Sequence, residues 1–568
     1  MTTATLALFD VFPAARILYE DADIVAIDKP FGLATHAPEH HRADDVVSWL
    51  KRHYKALGVS DYLGIHQRLD RDTSGVLLFA RRKEANAGLA PQFEKHTVEK
   101  SYVAVVEGKA PARAELAHYI AEGEDGLRVA RVRDGKPRRG EQEALTTMSS
   151  LARKGSRALV ELSPKTGRTH QLRVQLKAVG APIVGDHDYG GPPAERLMLH
   201  AERLTLKHPA SGEPLTISAP RPALFEAALE GRALVRPSTV DGLTAALVAA
   251  AERRFGIVAA GSTNAFRLVH AEGDGLPGIT IDLYERRAVL SVYDDDLESA
   301  ELEAILDATM AIGIEATYVK FRPKHASRIV DSRRLEIAPA LPMRGEAKPD
   351  AFEISESGVP FEVHLGDGLS TGLFLDQREN RGRVRELAKG KRVLNLFAYT
   401  GSFSVVAALG GATLSNTVDV SRVVLEWAAR NLARVGADSA VHTVTELEVF
   451  SFLERATAKG ETWDLVILDP PSFSTTKQAT FSAESDLSRL LELTLKVVAP
   501  GGKLLACTNH RSIVMAKLRR HVHEASRKVG VTLVQVKSLP PPVDFPPPAG
   551  REPHLKSVLV SVAGLPCL

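Results

Sequence analysis

Short stretches of alternating apolar and polar residues dominate the first 220 positions of the chain. Apolar runs separated by helically spaced segments dominate the last 200. Residues 17–35, ILYEDADIVAIDKPFGLAT, alternate as a strand does and then turn through Lys29, Pro30 and Gly32. Over 44–57, Val46, Val47, Leu50, Tyr54 and Leu57 share one helical face, with acids ahead of them and Gly58 behind. VLLFARR predicts a short buried strand, EANAGLAPQFEKH a helix, and KSYVAVVEG (100–108) an alternating strand. Residues 109–160 predict β-hairpins around the basic loop VRDGKPRRG. RALVELSP predicts a strand, KTGRTHQ a turn into a helix starting near Gln171, and LMLHAERLTLKHP a closing strand. Mixed antiparallel strands with peripheral helices predict an α+β domain over 15–222.

At 222–238 strand patterning gives way to a helix-like, proline-flanked connector, followed by a small α/β region over 238–345 with an amphipathic helix around 297–310. Its chemistry is not visible, and a spacer or shape-reading role is the default. Over 346–565 the pattern becomes βαβ. KRVLNL runs into FAYTGSF, SVVAALGG is a helix, and NTVDV is a strand ending in Asp419. SRVVLEWAARNLARVG is a helix, and WDLVILDPPSF is a strand ending in a proline turn. A long helix (486–498), a Gly-Gly turn and the strand KLLACTN follow. The spacing predicts a doubly wound parallel sheet whose Gly, Asp and Pro-Pro signals all fall at carboxyl ends of strands, where such sheets bind ligands.

Composition narrows this little. At 568 residues the chain needs more than one core. A net charge of +2 means that any nucleic-acid surface must come from local patches and not from bulk charge. Two cysteines, Cys507 and Cys567, are too few for a disulfide framework or a four-cysteine zinc site, and a reducing compartment is expected. The N-terminus lacks a basic segment and Asp10 interrupts its apolar run, so no signal peptide is expected; nor does any window approach the roughly 18–20 apolar residues of a membrane span. A cytoplasmic location is expected.

The stretch HQRLDRDTSG (66–75) sets one carboxylate, Asp70, between Arg68 and Arg71. A carboxylate oriented by guanidiniums can act as base or nucleophile, although an isolated RLDR is as readily a surface salt-bridge turn. The chain also carries Lys29-Pro30-x-Gly32, Lys100-Ser101-Tyr102, TGRTHQLR (166–173) and Leu199-His200-Ala201. Together these motifs resemble the RluA-type pseudouridine synthases. The resemblance implies that Asp70 attacks the uridine while the base is cut from C1′, turned and rejoined through C5. Tyr102 would lie against the target base and help remove the C5 proton, and Arg168 would pair with Asp70. Arg68 would fill the space of the flipped nucleotide, with His66 beside the substrate. No metal or organic cofactor is implied there, and the accessory RNA-binding domain of many relatives is not expected ahead of the first matched strand near residue 17.

In the C-terminal part, FAYTGSF brings backbone close to a ligand at Tyr399, Thr400 and Gly401. Asp419 stands where an acid grips ribose hydroxyls, and DPPSF can clamp a planar base. GLFLDQRENR (372–381), NLFAYTGSF, VDVS and DPPSFSTTK resemble the S-adenosylmethionine-dependent methyltransferases of large-subunit ribosomal RNA. The implied architecture is an α+β pseudouridine synthase domain, a small α/β domain and a Rossmann-like α/β methyltransferase domain. The implied cofactor contacts are Asn395, Phe397, Tyr399, Thr400, Gly401, Asp419, Glu448 and Asp469, with Glu448 replacing the usual adenine-side Asp. Pro470, Pro471, Phe473 and Arg378 would meet the substrate, and Asp469 and Asn509 would be catalytic. The C5-cytosine branch carries a cysteine where this chain has Asn509. Cys507 lies two residues earlier on the same strand face, so a nucleophilic thiol stays open, although a buried structural thiol is the favoured reading. ACTNHR is closer to the N7-guanine branch. The expected function is a bifunctional enzyme acting on RNA, 23S rRNA first and tRNA second. The rival is a non-catalytic ribosome-assembly factor.

Overall fold

In the computed structural model the described residues are 6–9, 12–36, 45–123, 127–232, 235–259, 261–293, 297–322, 334–347, 349, 351–475, 480–547 and 551–564. Among them the N-terminal part builds one 11-stranded sheet. Its central strands are Ile24–Lys29, Ser74–Ala80, Leu199–Lys207, Glu99–Glu107 and Arg157–Pro164, in that spatial order. All neighbours in this run are antiparallel except Leu199–Lys207 against Ser74–Ala80. That one parallel contact aligns His200 with Ser74 and Ala201 with Gly75, where a Cβ would lie 2.2 Å from the Ala201 carbonyl oxygen. Gly75 therefore lets the strand that follows Asp70 touch the strand carrying the LHA motif. The helix expected near Gln171 spans Gln171–Ala178. Residues 17–29 form a hairpin of two strands, Ile17–Glu20 and Ile24–Lys29, because the Asp21 carboxylate accepts from the backbone N–H groups of Asp23 and Ile24 and closes a turn.

The middle region forms a five-stranded sheet, from Ala265–His270 to Arg344–Gly345, with the helix Ser299–Ala311 packed on it. Its hydrophobic core is continuous with that of the N-terminal part. Trp49 of the helix Val46–Ala56 stacks on Phe255 at 4.5 Å, and Phe12 meets Trp49 edge-on at 5.1 Å. Large aromatic side chains packed across the connection seat the two parts on one another.

In the C-terminal part the strands run His442–Glu446, Leu414–Asp419, Arg392–Leu396, Trp463–Leu468, Val498–Thr508, Lys556–Val562 and Leu533–Leu539 across a seven-stranded sheet. The first five are parallel, and Lys556–Val562 runs antiparallel to both of its neighbours, Val498–Thr508 and Leu533–Leu539. The strand order reverses at Arg392–Leu396, and the crevice beyond its carboxyl end is the expected ligand position for such a sheet. The Gly-Gly pair lies inside the strand Val498–Thr508 as an irregularity: Trp463 pairs with Val498 but Leu465 with Lys503. Among the described residues no helix is long and apolar enough to cross a membrane.

Candidate active sites

The loop carrying Asp70 is held from beneath by Lys29. This lysine is fully buried, and its Nζ donates to the carbonyls of Pro30 (2.8 Å), Leu33 (2.6 Å) and Arg71 (2.9 Å). Thr35 clasps the other side, accepting from the Leu69 N–H and donating to the Leu69 carbonyl. Gly32 N–H adds a 2.9 Å bond to the Arg71 carbonyl. A buried ammonium satisfied by three carbonyls fixes the backbone on both sides of Asp70, which orients a catalytic group without touching it. The KPFG motif thus has a visible job, which its spacing alone did not reveal.

Asp70 opens into a cavity of about 600 Å³ that is also lined by His66, Arg68, Lys100, Tyr102 and Arg168. Burial and the adjacent Asp70 push the Tyr102 hydroxyl well above the ordinary phenol range, so it stays protonated. His66 hydrogen-bonds Asn86 (2.7 Å) and stacks on Phe93 at 5.7 Å, which makes it part of the wall. Arg68 is exposed at the mouth. The expected Arg168–Asp70 ion pair is not formed among the described residues. Arg168 Nε donates instead to the Glu143 carbonyl (3.0 Å), and the open cavity lies between guanidinium and carboxylate.

At the second site the turn after Leu396 holds Phe397 and Tyr399 at φ of 54° and 50°, a conformation that side chains adopt at a cost and that clusters at binding sites. The Tyr399 N–H donates to Asp419 Oδ2 (2.9 Å) and Ser421 N–H to Asp419 Oδ1 (3.0 Å), joining the ends of two parallel strands. Burial pushes the Asp419 carboxyl up. Gly401, at φ 75°, lies where a Cβ would be 2.7 Å from the Ala428 Cβ, so the turn closes only with glycine. Phe374 and Tyr399 pack at 5.1 Å beside this cradle. A strained glycine turn with an acid at the next strand end fits the ribose and amino-acid ends of S-adenosylmethionine.

Several expected contacts go elsewhere. Asn395 is buried and its amide donates to Ser404 (3.0 Å), because its strand position points into the helix Ser402–Leu409. Thr400 is buried and its hydroxyl donates to the Gly372 carbonyl (2.6 Å), bracing the turn from behind. Both carboxylate oxygens of Glu448 accept backbone N–H groups, from Phe450 (3.0 Å) and Ser451 (2.9 Å), so this acid caps the helix Val449–Ala458. Arg378 does not face substrate: it is buried in a two-bond ion pair with Asp544.

Asp469 keeps its expected place at the end of Trp463–Leu468. It accepts from Gln377 Nε2 (2.8 Å), and burial together with the nearby Asp376 pushes its carboxyl up to about 7. Pro470 is buried, Pro471 half-buried and Phe473 exposed, so only the outer part of this turn can reach a ligand. Asn509 accepts from the Ser472 hydroxyl (2.6 Å), which ties the DPPSF turn to the neighbouring strand end. Cys507 is buried beside Gln377 and Asn380, and burial with the nearby Asp469 pushes its thiol far up, the opposite of an activated nucleophile. Asp376 and Gln377 were hidden inside the GLFLDQRENR motif, and their partner lies 92 residues away.

A family model described as S-adenosylmethionine-dependent methyltransferase matches residues 279–560, and one described as RNA pseudouridylate synthase matches 23–178. A putative ribosomal RNA large subunit methyltransferase, YwbD, from Bacillus subtilis is 35% identical over 302 residues, covering 53% of this chain and 74% of the relative. Ribosomal RNA large subunit methyltransferase K of Neisseria meningitidis is 44% identical over 171 residues, 30% of this chain and 48% of the relative, so the match spans about half that protein. The crystal structure of SMU.776, a putative methyltransferase complexed with SAH, aligns with TM-score 0.52 and 25% identity over 63% of this chain and 87% of that one. The chain therefore belongs to the S-adenosylmethionine-dependent methyltransferases and joins to that enzyme an RNA pseudouridylate synthase.

Proposed function

We propose that the chain modifies large-subunit ribosomal RNA, 23S rRNA in a bacterial cytoplasm, at two nucleotides. One uridine becomes pseudouridine and one guanine is methylated at N7. The rRNA substrate rests on relatives that are themselves ribosomal RNA large subunit methyltransferases, one of them putative. At the first site the N1–C1′ bond breaks, the base turns, C5 bonds to C1′, and the C5 proton is lost while N1 gains one. Asp70 is the nucleophile in this reading, and Arg68 occupies the gap at the cavity mouth. Tyr102, kept protonated, lies against the turned base and relays a proton only by passing on its own.

At the second site S-adenosylmethionine supplies an electrophilic methyl group. The observation that carries the N7 reading is Cys507: its thiol is buried and pushed far up, whereas the strand end beside DPPSF presents the Asn509 amide. Methylation at cytosine C5 requires attack at C6 by a reactive thiolate, whereas guanine N7 is nucleophilic already and needs only alignment. Tyr399, Gly401 and Asp419 would hold the cofactor, while Pro471 and Phe473 would clamp the base. Mass-spectrometric mapping of 23S rRNA from a deletion strain tests the reading. It predicts loss of one pseudouridine and one N7-methylguanine; loss of a 5-methylcytosine, or of a tRNA modification instead, overturns it.

A further inference from the structure

The wall of the first site beside Tyr102 carries a cation that the isomerisation does not use. Lys100 and Tyr102 lie two residues apart on the strand Glu99–Glu107, and both line the cavity of about 600 Å³. Ser101 between them turns to the opposite face, where its hydroxyl donates to Glu161 (2.7 Å). Lys100 Nζ lies 5.4 Å from the centroid of the Phe93 ring. Phe93 is held in turn by the stacked His66 ring, and His66 by Asn86, whose amide donates to the Tyr62 hydroxyl (2.6 Å). Among the described residues Lys100 Nζ makes no hydrogen bond and no ion pair, and it stays accessible. Burial alone pushes its ammonium below the ordinary lysine range, with no carboxylate near enough to offset that cost.

The surroundings select an anion. Asp70 is the one acid among the residues lining the cavity, against Arg68, Lys100, Arg168 and Arg173. Arg173 is engaged by Asp186 and Asp188, Arg168 Nε by the Glu143 carbonyl, and Arg68 stands at the mouth. At the Lys100 end a recess continues between Phe93 and Pro164, and His96, Lys165 and Thr166 supply the rest of its polar lining. His96 and Lys165 are both exposed. His96 follows the helix Ala85–Glu94 at φ 55°, a place that glycine usually takes. Packing on Phe93 explains the stem of Lys100. It does not explain three basic side chains around one recess with no acid, an arrangement that repels itself until an anion arrives. Two residues along a strand span roughly 6.5–7 Å, comparable to the distance between a base and the phosphate of the same nucleotide. A base lying on Tyr102 therefore directs its phosphate toward Lys100.

We propose that Lys100 anchors the phosphate of the target uridine, with His96 and Lys165 at the outer edge of that subsite. The proposal rests on the pseudouridine synthase reading of the cavity. The subsite sets the register of the RNA: a nucleotide lies between Tyr102 and Asp70 when its phosphate has reached the Lys100 end. Lys100 contributes to binding and exchanges no proton with the reacting base.

The test measures pseudouridine formation by the full chain on 23S rRNA from a deletion strain, at several potassium chloride concentrations, for the parent, Lys100→Met and Lys100→Arg. Methionine keeps an apolar stem on Phe93 and removes the charge. Lys100→Met should raise KM about tenfold, the weight of a charge-assisted hydrogen bond, with kcat within about twofold. It should also flatten the slope of log(kcat/KM) against log[salt] by about 0.7, one phosphate contact on a single strand. Lys100→Arg should keep most of the parent's KM and slope, which a lysine needed only for its shape would not do. A raised KM with an unchanged slope overturns the proposal by putting Lys100 on the base, and a lowered kcat at unchanged KM overturns it by putting Lys100 in the chemical step. Lys165→Gln, on an exposed residue, carries the test if Lys100→Met misfolds by its urea midpoint: it should raise KM and flatten the slope in the same sense, and no change in either overturns the subsite. A parent chain that forms no pseudouridine overturns the underlying reading of the cavity, an outcome distinct from an active parent whose KM is indifferent to Lys100.

Discussion

Arg378 and Asp544, 166 residues apart, close a two-bond ion pair of 2.9 and 2.5 Å with both side chains out of water. The pair does more than neutralise two charges. Asp544 Oδ2 also accepts the Arg267 N–H (3.0 Å), and the Asp544 carbonyl accepts from Arg254 (3.0 Å), so one loop residue ties the helix Arg378–Leu387 to the middle region. Arg254 in turn holds Asp274, which also meets Arg253 against the KPFG turn. Gln377, next to Arg378, donates to Asp469. A contiguous set of polar contacts therefore runs between the surroundings of the two active sites.

Breaking that pair should cost stability, not substrate affinity. Removing one partner of a buried ion pair leaves an uncompensated charge and costs about 3–5 kcal/mol. Asp544→Ala should therefore lower the urea midpoint sharply, and Arg378→Ala should do the same. A normal midpoint with weakened RNA binding would return Arg378 to the substrate.

The two chemistries should separate by mutation. Asp70→Ala should abolish pseudouridine formation, by roughly three orders of magnitude or more as expected for loss of a nucleophile, while methyl transfer continues. Asp469→Ala should do the reverse. Product analysis by mass spectrometry on one RNA preparation reads both, and joint loss in either variant would mean that the sites are coupled through the contacts above.

Legibility in the sequence followed contiguity. The helix opening at Gln171, the strand Trp463–Leu468 and both motif-bearing turns were readable because their signals sit within a few residues. The hairpin Phe352–Glu356 with Val359–Val363, and the antiparallel pair Leu533–Leu539 with Lys556–Val562, were not assigned; their identity rests on partners outside any local period. The same holds inside motifs. Thr400 and Tyr399 are neighbours, yet one hydroxyl turns inward to Gly372 while the other residue takes a strained φ beside Phe374. Arg378 read as substrate-facing because its acid partner is far along the chain. A motif marks where a site is; which of its members face the ligand is decided by packing behind it.

The Asp469 carboxyl gives a pH signature. Burial, with Asp376 beside it, raises its folded-state pKa from 3.8 to about 7. Between these values the native state binds more protons than the unfolded chain, so this group's contribution to stability falls as pH rises from about 4 to 7 and stays low above 7. Asp469→Asn keeps an acceptor for Gln377 but removes the charge. Its denaturation midpoint should gain on the parent as pH rises from 5 to 8, and a gap that is constant or shrinks would contradict the buried, raised carboxyl.

The last prediction addresses the methylated atom. Cys507 is enclosed by Gln377, Asn380 and Ser557 and its thiol is pushed far up, so it is a packing group at a polar corner of the core. Cys507→Ala should cost roughly 1–2 kcal/mol of stability as a small cavity and leave the methyl-transfer rate within a few-fold of the parent. In the native protein the thiol should resist iodoacetamide. Asn509→Ala removes the partner of the Ser472 hydroxyl and loosens the DPPSF turn, so it should slow methyl transfer with unchanged S-adenosylmethionine binding by calorimetry. The opposite pattern, in which Cys507→Ala abolishes transfer and Asn509→Ala is harmless, would require a thiolate attack at C6. That would move the product from N7-methylguanine to 5-methylcytosine.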